Sequence, residues 1–576
     1  TTDAWLATLK KHENKEALVC EDRSMTFGAV ERLSNRIAHW AIATGLRPGD
    51  VVGLDMENRL EYIPTWLGLT KVGVKIAMLN YNVKAKGLLH CVTVASCKAV
   101  VFGTEVVETI AAIAAPLRAS GVLLFSSGPR GPPAWADGDV DTFLAGASEG
   151  APPAELRAGI GMTDTFAYVY TSGTTGLPKA CKVLHLKMYG SGAGFPKMFG
   201  TTAADRLYRT LPLYHSAGGG IGACHMVVLG CTLIIKRKFS ATHFWADCVK
   251  YRATMIQYIG ELCRYLLAAP RTPLDEVHGV RIAFGNGLRP EIWNAFQRRF
   301  KIKEVGEFYG STEGNVVLFN HCRDYDGQGA IGRAGWILRK LQGFKVAKFD
   351  VVREQPVRGA DGLCVEAAAD EPGELLGVVK AGDAMTRFDG YTSSAATEQK
   401  LLRDAFRPGD LYFRTGDLVR IDGRGMIYFV DRIGDTFRWK GENVSTMEVS
   451  EVISALPGVA EANVFGVRVP GRDGRACMVA VVLDGGAAPS TLDAAALYDA
   501  LARGLPAYSI PLFIRFLPGA MSLSAGTFKH RKVELREDAF DLTKVNDTIW
   551  WLRNGSYAPF TMVDYQAVAA RRAARL

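Results

Sequence analysis

YVYTSGTTGLPK, residues 168–179, is an apolar strand running into a loop of glycine, threonine and serine that closes on a lysine. Gly173 and Gly176 carry no Cβ, so the backbone N–H groups there can close on a phosphate chain. Thr171, Ser172, Thr174 and Thr175 add hydroxyl donors, and Lys179 adds a mobile positive charge. In chemical terms this is a triphosphate cradle and implies an enzyme that uses ATP. It is not the Walker pattern, because Pro178 stands where that loop keeps a glycine before its lysine. Read alone, the segment also fits a glycine-rich turn after a buried strand, so the rest of the chain has to decide.

Upstream of the loop, helical and strand periods alternate. Val30, Leu33, Ile37, Trp40 and Ala41 follow helical spacing, with Thr26 or Ser24 able to begin that element. VVGLD at 51–55 reads as a strand, Tyr62–Val72 as a helix, and IAML at 76–79 as a further strand. The alternation predicts an α/β chain of parallel sheets covered by helices. Residues 128–156, rich in Gly, Pro, Ala and Asp, read as a surface excursion. From about 408 the texture changes to short strands and turns, and Asp422-Gly423 and Arg424-Gly425 mark hairpins. A mixed α/β stretch follows Arg432, with LPAYSIP at 505–511 and a strand near 512–517. A boundary near 431–435 therefore predicts a large domain over 1–431 and a smaller one over 432–576.

At 576 residues the chain exceeds what one core usually supports. Its 48% hydrophobic and 22% charged residues are the balance of a globular protein. The net charge of +9, from 68 Lys+Arg against 59 Asp+Glu, is a mild bias suited to anionic ligands or an anionic membrane surface. No basic run stands out as a nucleic-acid patch. The eleven cysteines, without any CxxC, fit reduced thiols in an intracellular protein and no disulfide framework or structural zinc site. The longest stretch without Lys, Arg, Asp or Glu, 210–235, holds Pro212, His215, His225 and several glycines, which favours a buried segment over a membrane span. Because the sequence begins at Thr1, an upstream N-terminal anchor stays open.

Further segments carry chemistry. LPLYHSAG at 211–218 puts His215 beside small residues, suitable for a carboxylate pocket or equally for a structural histidine. GNGLRP at 285–290 is a glycine turn (Gly285, Asn286, Gly287) able to approach a flat base. In FYGSTEG, 308–314, Tyr309 can stack on adenine, and Thr312 and Glu313 offer oxygen ligands for Mg²⁺ and a polyphosphate; a solvated turn is the alternative. YFRTGD ends in Asp417, able to accept from both ribose hydroxyls. DRIGDTFRWKGENVSTMEV at 431–449 offers Arg432 for the same ribose and a turn around Gly441. TFKHRK at 527–532 presents Lys529 in a basic cluster that by itself reads as a solvated face.

The order TSGTTGLPK, PLYHSAG, YGSTEG, TGD, DR and a late lysine resembles the acyl-adenylate-forming superfamily of acyl-CoA synthetases, luciferases and peptide-synthetase adenylation domains. Within it, YIGELCRYLL at 258–267, FGNGLRPEIW at 284–293 and DTFRWKGENVSTMEV at 435–449 are similar to the fatty acid transport protein and very-long-chain acyl-CoA synthetase branch. The resemblance runs from about residue 10 to the C-terminus and implies that superfamily's fold, a large N-terminal domain and a smaller mobile C-terminal one. It assigns Thr171 through Lys179 to the phosphates, Gly310, Ser311 and Thr312 to the nucleotide, and Glu313 with Thr171 to Mg²⁺. Tyr309 would face the adenine beside Gly285, Asn286 and Gly287. Asp417 and Arg432 would hold the ribose, and His215 would sit at the acyl carboxylate. Lys529 matches the catalytic lysine, although Phe528 replaces the usual preceding glycine. Gly434 stands at the hinge, where relatives commonly carry Asp or Lys, and Gly441 is the candidate for the CoA tunnel.

The implied substrates are a fatty acid, ATP and coenzyme A, with peripheral membrane association open. The rival readings are adenylation with another acceptor, and a lipid-handling protein in which catalysis is secondary. The segment WLRNGSYAPFTMVDYQAV favours the fatty-acid branch. Ala574-Arg575-Leu576 follows the small-basic-Leu pattern of a peroxisomal or glycosome-like address, or is an accidental basic tail.

Overall fold

The strand Val51–Asp55 is buried at every residue, which is the mark of a central parallel strand covered on both faces. Its neighbours in the computed structural model are parallel on both sides: Lys75–Met78 on one and Ala99–Gly103 on the other. The sheet continues through Leu123–Ser127 to Gly138–Asp139 at one edge, and through Thr165–Thr171 to Lys179–Leu184 at the other. Only the last pair, which carries the glycine-rich loop, is antiparallel. The model describes residues 1–171, 177–323, 326–335, 339, 343–351, 353–380, 382–383, 386–433, 435–440, 442–472, 474–519, 521 and 532–570.

The helix expected around Val30 spans Phe27–Ala43, and the Thr26 hydroxyl accepts from the Ala29 amide at 3.1 Å. That bond satisfies one of the amides a helix start leaves open. Its buried face, including Val30, Ile37, Trp40 and Ala41, meets the helix Tyr62–Lys71, which is buried along its whole length. Gly68 makes the close approach possible, since a Cβ there would lie 2.5 Å from the Ser34 carbonyl oxygen. The excursion at 128–156 is more ordered than its composition suggests. Asp139 caps a short helix, Val140–Gly146, by accepting from the Thr142 amide, and Val140 and Leu144 are buried.

A second sheet has the order Val317–Arg323, Glu304–Gly310, Ile282–Asn286, Met255–Ile259, Arg206–Arg209, Thr232–Ile235, Glu16–Cys20, Arg23–Thr26. Its five central pairings are parallel and its two outer ones antiparallel. The uncharged stretch 210–235 is largely buried: it forms the wide helical turns Ser216–Gly222 and His225–Leu229 and the strand Thr232–Ile235.

Contacts divide the chain into two units, residues 1–332 with 379–401, and residues 333–378 with 402–576. In the second, the hairpin Leu411–Ile421/Met426–Arg432 extends an antiparallel sheet through Gly373–Val378 to Phe344–Asp350. Residues 333–378 and 402–431 group by contacts with the C-terminal part. A separate core gathers Phe437 to Val568 around the wholly buried strand Ala476–Leu483, and Phe513 stacks on Phe540 at 4.3 Å. Among the described residues, no helix is long and apolar enough to cross a membrane.

Candidate active site

The loop at 172–176 joins two strands whose last pair is Thr171 opposite Lys179. Hairpin pairing thus sets Thr171 opposite Lys179, while Ser172, Gly173, Thr174, Thr175 and Gly176 lie outside the described residues. Gly434, Gly441, Lys529 and the C-terminal Ala574-Arg575-Leu576 lie outside them too.

Around the cradle the fold brings in a residue that sequence reading missed. Tyr391 bridges to Cys181, and the Thr392 amide donates to the Ala180 carbonyl at 3.2 Å. Gly390 precedes it with φ +68, and a Cβ there would lie 2.5 Å from the Thr397 hydroxyl, so the turn admits only glycine. The Tyr391 hydroxyl donates to Glu313 Oε1 at 3.1 Å, and the Lys179 ammonium lies 5.6 Å from the centre of the same ring. Burial, then the nearby Glu313 charge, pushes the Tyr391 phenol well above its ordinary range, so it stays a donor. The same two causes raise the Cys181 thiol to about 12, which makes it an inert neighbour of the Thr171 hydroxyl, 3.4 Å away. The DGY turn at 389–391 was the available sequence signal for Tyr391.

The turn bearing Glu313 is held from behind. Lys187, on the helix His185–Phe199, donates to the carbonyls of Thr312 at 3.0 Å and Gly314 at 2.9 Å. Burial lowers its pKa, opposed by Asp389 and Glu313. Ser311 accepts from the Gly314 amide at 3.1 Å, and the Thr312 hydroxyl lies 2.9 Å from that of Ser216. That contact ties Thr312 to the residue following His215.

His215 leads into the turn Ser216–Gly222, and its backbone is extended (φ −90, ψ 146). The turn is clamped by the fully buried Arg209, whose guanidinium donates to the carbonyls of Leu211, at 2.7 Å, and Gly218. Gly218 and Gly222 have to be small, because a Cβ on either would run into that guanidinium. Burial lowers Arg209 to about 9. His225, in contrast, is a core histidine. It stacks on Phe284 at 5.1 Å, donates from Nδ1 to the Ile221 carbonyl at 2.9 Å, and is lowered to about 4 by burial.

Gly285, Asn286 and Gly287 end one parallel strand, and Tyr309 and Gly310 end the next. Ligands of open α/β sheets bind beyond such carboxyl ends. Gly287 has φ +79, and Glu307 accepts from its amide and from that of Leu288. Glu307 and its partner Tyr258 were also missed by sequence reading.

In the second unit, Asp417 and Arg432 face each other across the hairpin with Nε and Oδ1 3.5 Å apart. Arg432 remains about half exposed (54%), while Asp417 is nearly covered (11%), so the carboxylate is fixed and the guanidinium free to reach. The hydroxyl of Thr415 accepts from the Asp417 amide at 3.1 Å. Just beyond, Asp431 accepts from the Thr446 amide at 2.7 Å, which joins the strand end to the helix Thr446–Ser454.

No group of three or more His, Cys, Asp or Glu among the described residues could hold a metal by itself. A single carboxylate, Glu313, with the Thr171 hydroxyl suits Mg²⁺ that arrives on a polyphosphate, since that ion keeps waters and phosphate oxygens as its other ligands.

The hairpin ending at Thr171 and Lys179, the turn bearing Glu313 and the glycine turn at parallel strand ends lie in a chain of the AMP-binding, adenylate-forming class. A family model described as AMP-binding enzyme matches residues 5–376, and one described as AMP-binding enzyme C-terminal domain matches 448–525. Long-chain fatty acid transport protein 1 of Mus musculus is 41% identical over 540 residues, 93% of this chain and 81% of the relative. Long-chain fatty acid transport protein 2 of Rattus norvegicus is 40% identical over 576 residues, covering 98% and 90%. The chain belongs to the fatty acid transport protein/very-long-chain acyl-CoA synthetase family. Among solved structures, the anthranilate CoA ligase AuaEII in complex with anthranoyl-AMP matches with a TM-score of 0.79 at 19% identity, over 94% of this chain and 98% of that one. ATP-bound MatB from Rhodopseudomonas palustris matches at 0.76 and 25%, over 94% and 99%. The fold is that of the AMP-forming CoA ligases.

Proposed function

We propose that this protein is an ATP-dependent long- or very-long-chain fatty acyl-CoA synthetase. The observation that carries the reading is the join of Lys179, Tyr391 and Glu313. Both Lys179, which would serve the phosphates, and Glu313, which would hold Mg²⁺, contact one phenol. In the first step a fatty carboxylate oxygen attacks the α-phosphate of ATP, and pyrophosphate leaves with the broken P–O bond. No general base is needed, because such an acid is already ionised at neutral pH. The barrier is the meeting of an anion with a polyanion, which Lys179, the loop amides and Lys529 would relieve. Mg²⁺, when bound at Glu313 and Thr171, supplies charge neutralisation at the phosphates. Ser172, Gly173, Thr174, Thr175, Gly176, Gly310, Ser311 and Thr312 would line the polyphosphate. Tyr309 and the turn Gly285-Asn286-Gly287 would take the adenine, Asp417 and Arg432 the ribose, and His215 the acyl carboxylate.

In the second step the CoA sulfur attacks the acyl carbonyl, AMP departs, and the thiol proton passes to solvent. A thiol with pKa about 8.5 is only slightly ionised at pH 7, so positioning dominates. We assign residues 432–576 to a domain that moves about Gly434 between the steps, with Gly441 beside the CoA tunnel.

Pyrophosphate release across fatty acids of graded length, with and without CoA, tests the reading. Release that depends on a long acid, with thioester appearing only when CoA is present, is expected. No acid-dependent release would overturn it. Lys529→Ala should slow the first step about a hundred- to a thousand-fold. The relatives' names favour a second reading, fatty-acid transport with weaker catalysis. Uptake that persists in cells expressing Lys529→Ala would support that reading over trapping by thioester formation.

A further inference from the structure

Three neighbouring strands run parallel in the order Met255–Ile259, Ile282–Asn286, Glu304–Gly310, and one row across them reads Tyr258, Gly285, Glu307. Residues in one row of a sheet point to the same face. The middle member has no side chain, so the outer two meet across it, and the Tyr258 hydroxyl donates to Glu307 Oε2. Any Cβ at Gly285 would lie 2.2 Å from the Tyr258 carbonyl oxygen and 2.6 Å from its ring. The other carboxyl oxygen, Oε1, accepts from the amides of Gly287 and, at 3.3 Å, Leu288. The turn is pinned on its far side too. The Gly287 carbonyl sits where a Cβ of Gly260 would be, and Pro290 starts the next helix.

We propose that Glu307, with Tyr258 as its second partner, is a positioning residue that holds the Asn286–Leu288 turn in place for the nucleotide. This rests on the adenylation reading above. Glu307 is 1% exposed, and burial lifts its carboxyl to about 8 against the pull of its three donors. A buried acid is costly, and an apolar residue of similar size would usually serve packing as well or better. What an apolar residue cannot do is satisfy two adjacent amides of a left-handed turn. The carboxyl therefore contributes geometry: it decides where the Gly287 backbone stands relative to Tyr309, two residues further along Glu307's own strand.

The test uses the full chain as Glu307→Ala, Glu307→Gln and Tyr258→Phe, with pyrophosphate release measured against ATP and fatty acid separately. The second readout is the rise in melting temperature on adding Mg·ATP. Glu307→Ala should raise the KM for ATP about ten-fold or more, with the KM for the acid unchanged and a smaller thermal shift. Glu307→Gln can still accept from both amides and donate to the phenol oxygen, and should return the KM for ATP to within about three-fold of the parent. Tyr258→Phe should raise it by a smaller factor. An unchanged KM for ATP in Glu307→Ala, equal rises for both substrates, or no rescue by Gln would each overturn the proposal. If Glu307→Ala does not fold, an unchanged KM for ATP in Tyr258→Phe overturns it instead. A parent protein that releases no pyrophosphate but is stabilised by Mg·ATP would sink the adenylation reading alone, and the thermal shifts would still decide for or against Glu307.

Discussion

Half-buried Lys187 and the fully buried Arg209 and Glu307 are ionisable side chains that reach backbone atoms of the 312–314, 211–218 and 287–288 turns respectively. A turn packed only by apolar contacts can slide, whereas one whose carbonyls or amides are hydrogen-bonded by a covered polar side chain is held in one geometry, as preorganised sites require. Lys187→Met should therefore weaken the response of pyrophosphate release to Mg²⁺ more than it changes the KM for the acid. Magnesium titrations at fixed ATP would check this. Asp55 behaves differently. It is fully buried, neither carboxyl oxygen has a hydrogen-bond partner among the described residues, and burial raises it to about 7 from 3.8. Because the folded value is the higher one, stability is complete below about pH 4 and is lost as pH rises through about 7. Asp55→Asn should raise the melting temperature at pH 8 and flatten its pH dependence between pH 4 and 8. A variant that melts lower than the parent at pH 8 would count against the assignment. Tyr391 and Lys187 escaped sequence reading because their partners lie 78 and 125 positions away, and Glu307 because it acts on Gly287, 20 positions back, together with Tyr258, 49 back. Thr171, Lys179, Glu313 and Asp417 stood out as candidates in the sequence because they sit in short contiguous motifs.

At the scale of elements, periodicity and turn residues carried most of the information. The helix at Phe27–Ala43, the strands Val51–Asp55 and Lys75–Met78 and the hairpin at Asp422–Gly425 follow from apolar spacing, a threonine cap and glycines at positive φ. The short helix Val140–Gly146 escaped, since seven residues give too few turns for a period to show among Gly, Pro and Ala. Sequence likewise could not place 333–378 with the C-terminal part, because that grouping is made by strand pairing over long separations. Two elements yield tests. Gly68→Ala would push a methyl against Ser34 and Ile37 and should destabilise the protein by about 1–3 kcal/mol, read as a lower urea midpoint at unchanged slope. Gly434→Pro would restrict the proposed hinge and should slow thioester formation while acyl-adenylate still forms. Equal loss of both half-reactions would argue that no hinge lies there.

For the whole molecule, the first unit holds the residues proposed for phosphate, metal and acyl groups, and the second holds Asp417, Arg432 and the Phe437–Val568 core. Each unit has its own hydrophobic core, so the two can differ in stability and need not melt as one. Calorimetry should resolve two transitions, with Mg·ATP raising the one that belongs to the first unit; a single transition matching the van't Hoff enthalpy would argue for one cooperative block. The eleven cysteines supply an independent view of the same events. All are buried and none forms a disulfide among the described residues; nine lie in the first unit, and Cys364 and Cys477 in the second. Burial pushes the Cys477 thiol upward and holds Cys91, Cys97, Cys224 and Cys231 near 12. In the native state such thiols are silent toward maleimides, which react with exposed thiolate. Alkylation therefore becomes a clock for opening, and mass spectrometry of the labelled peptides reports which half of the chain exposes its interior first.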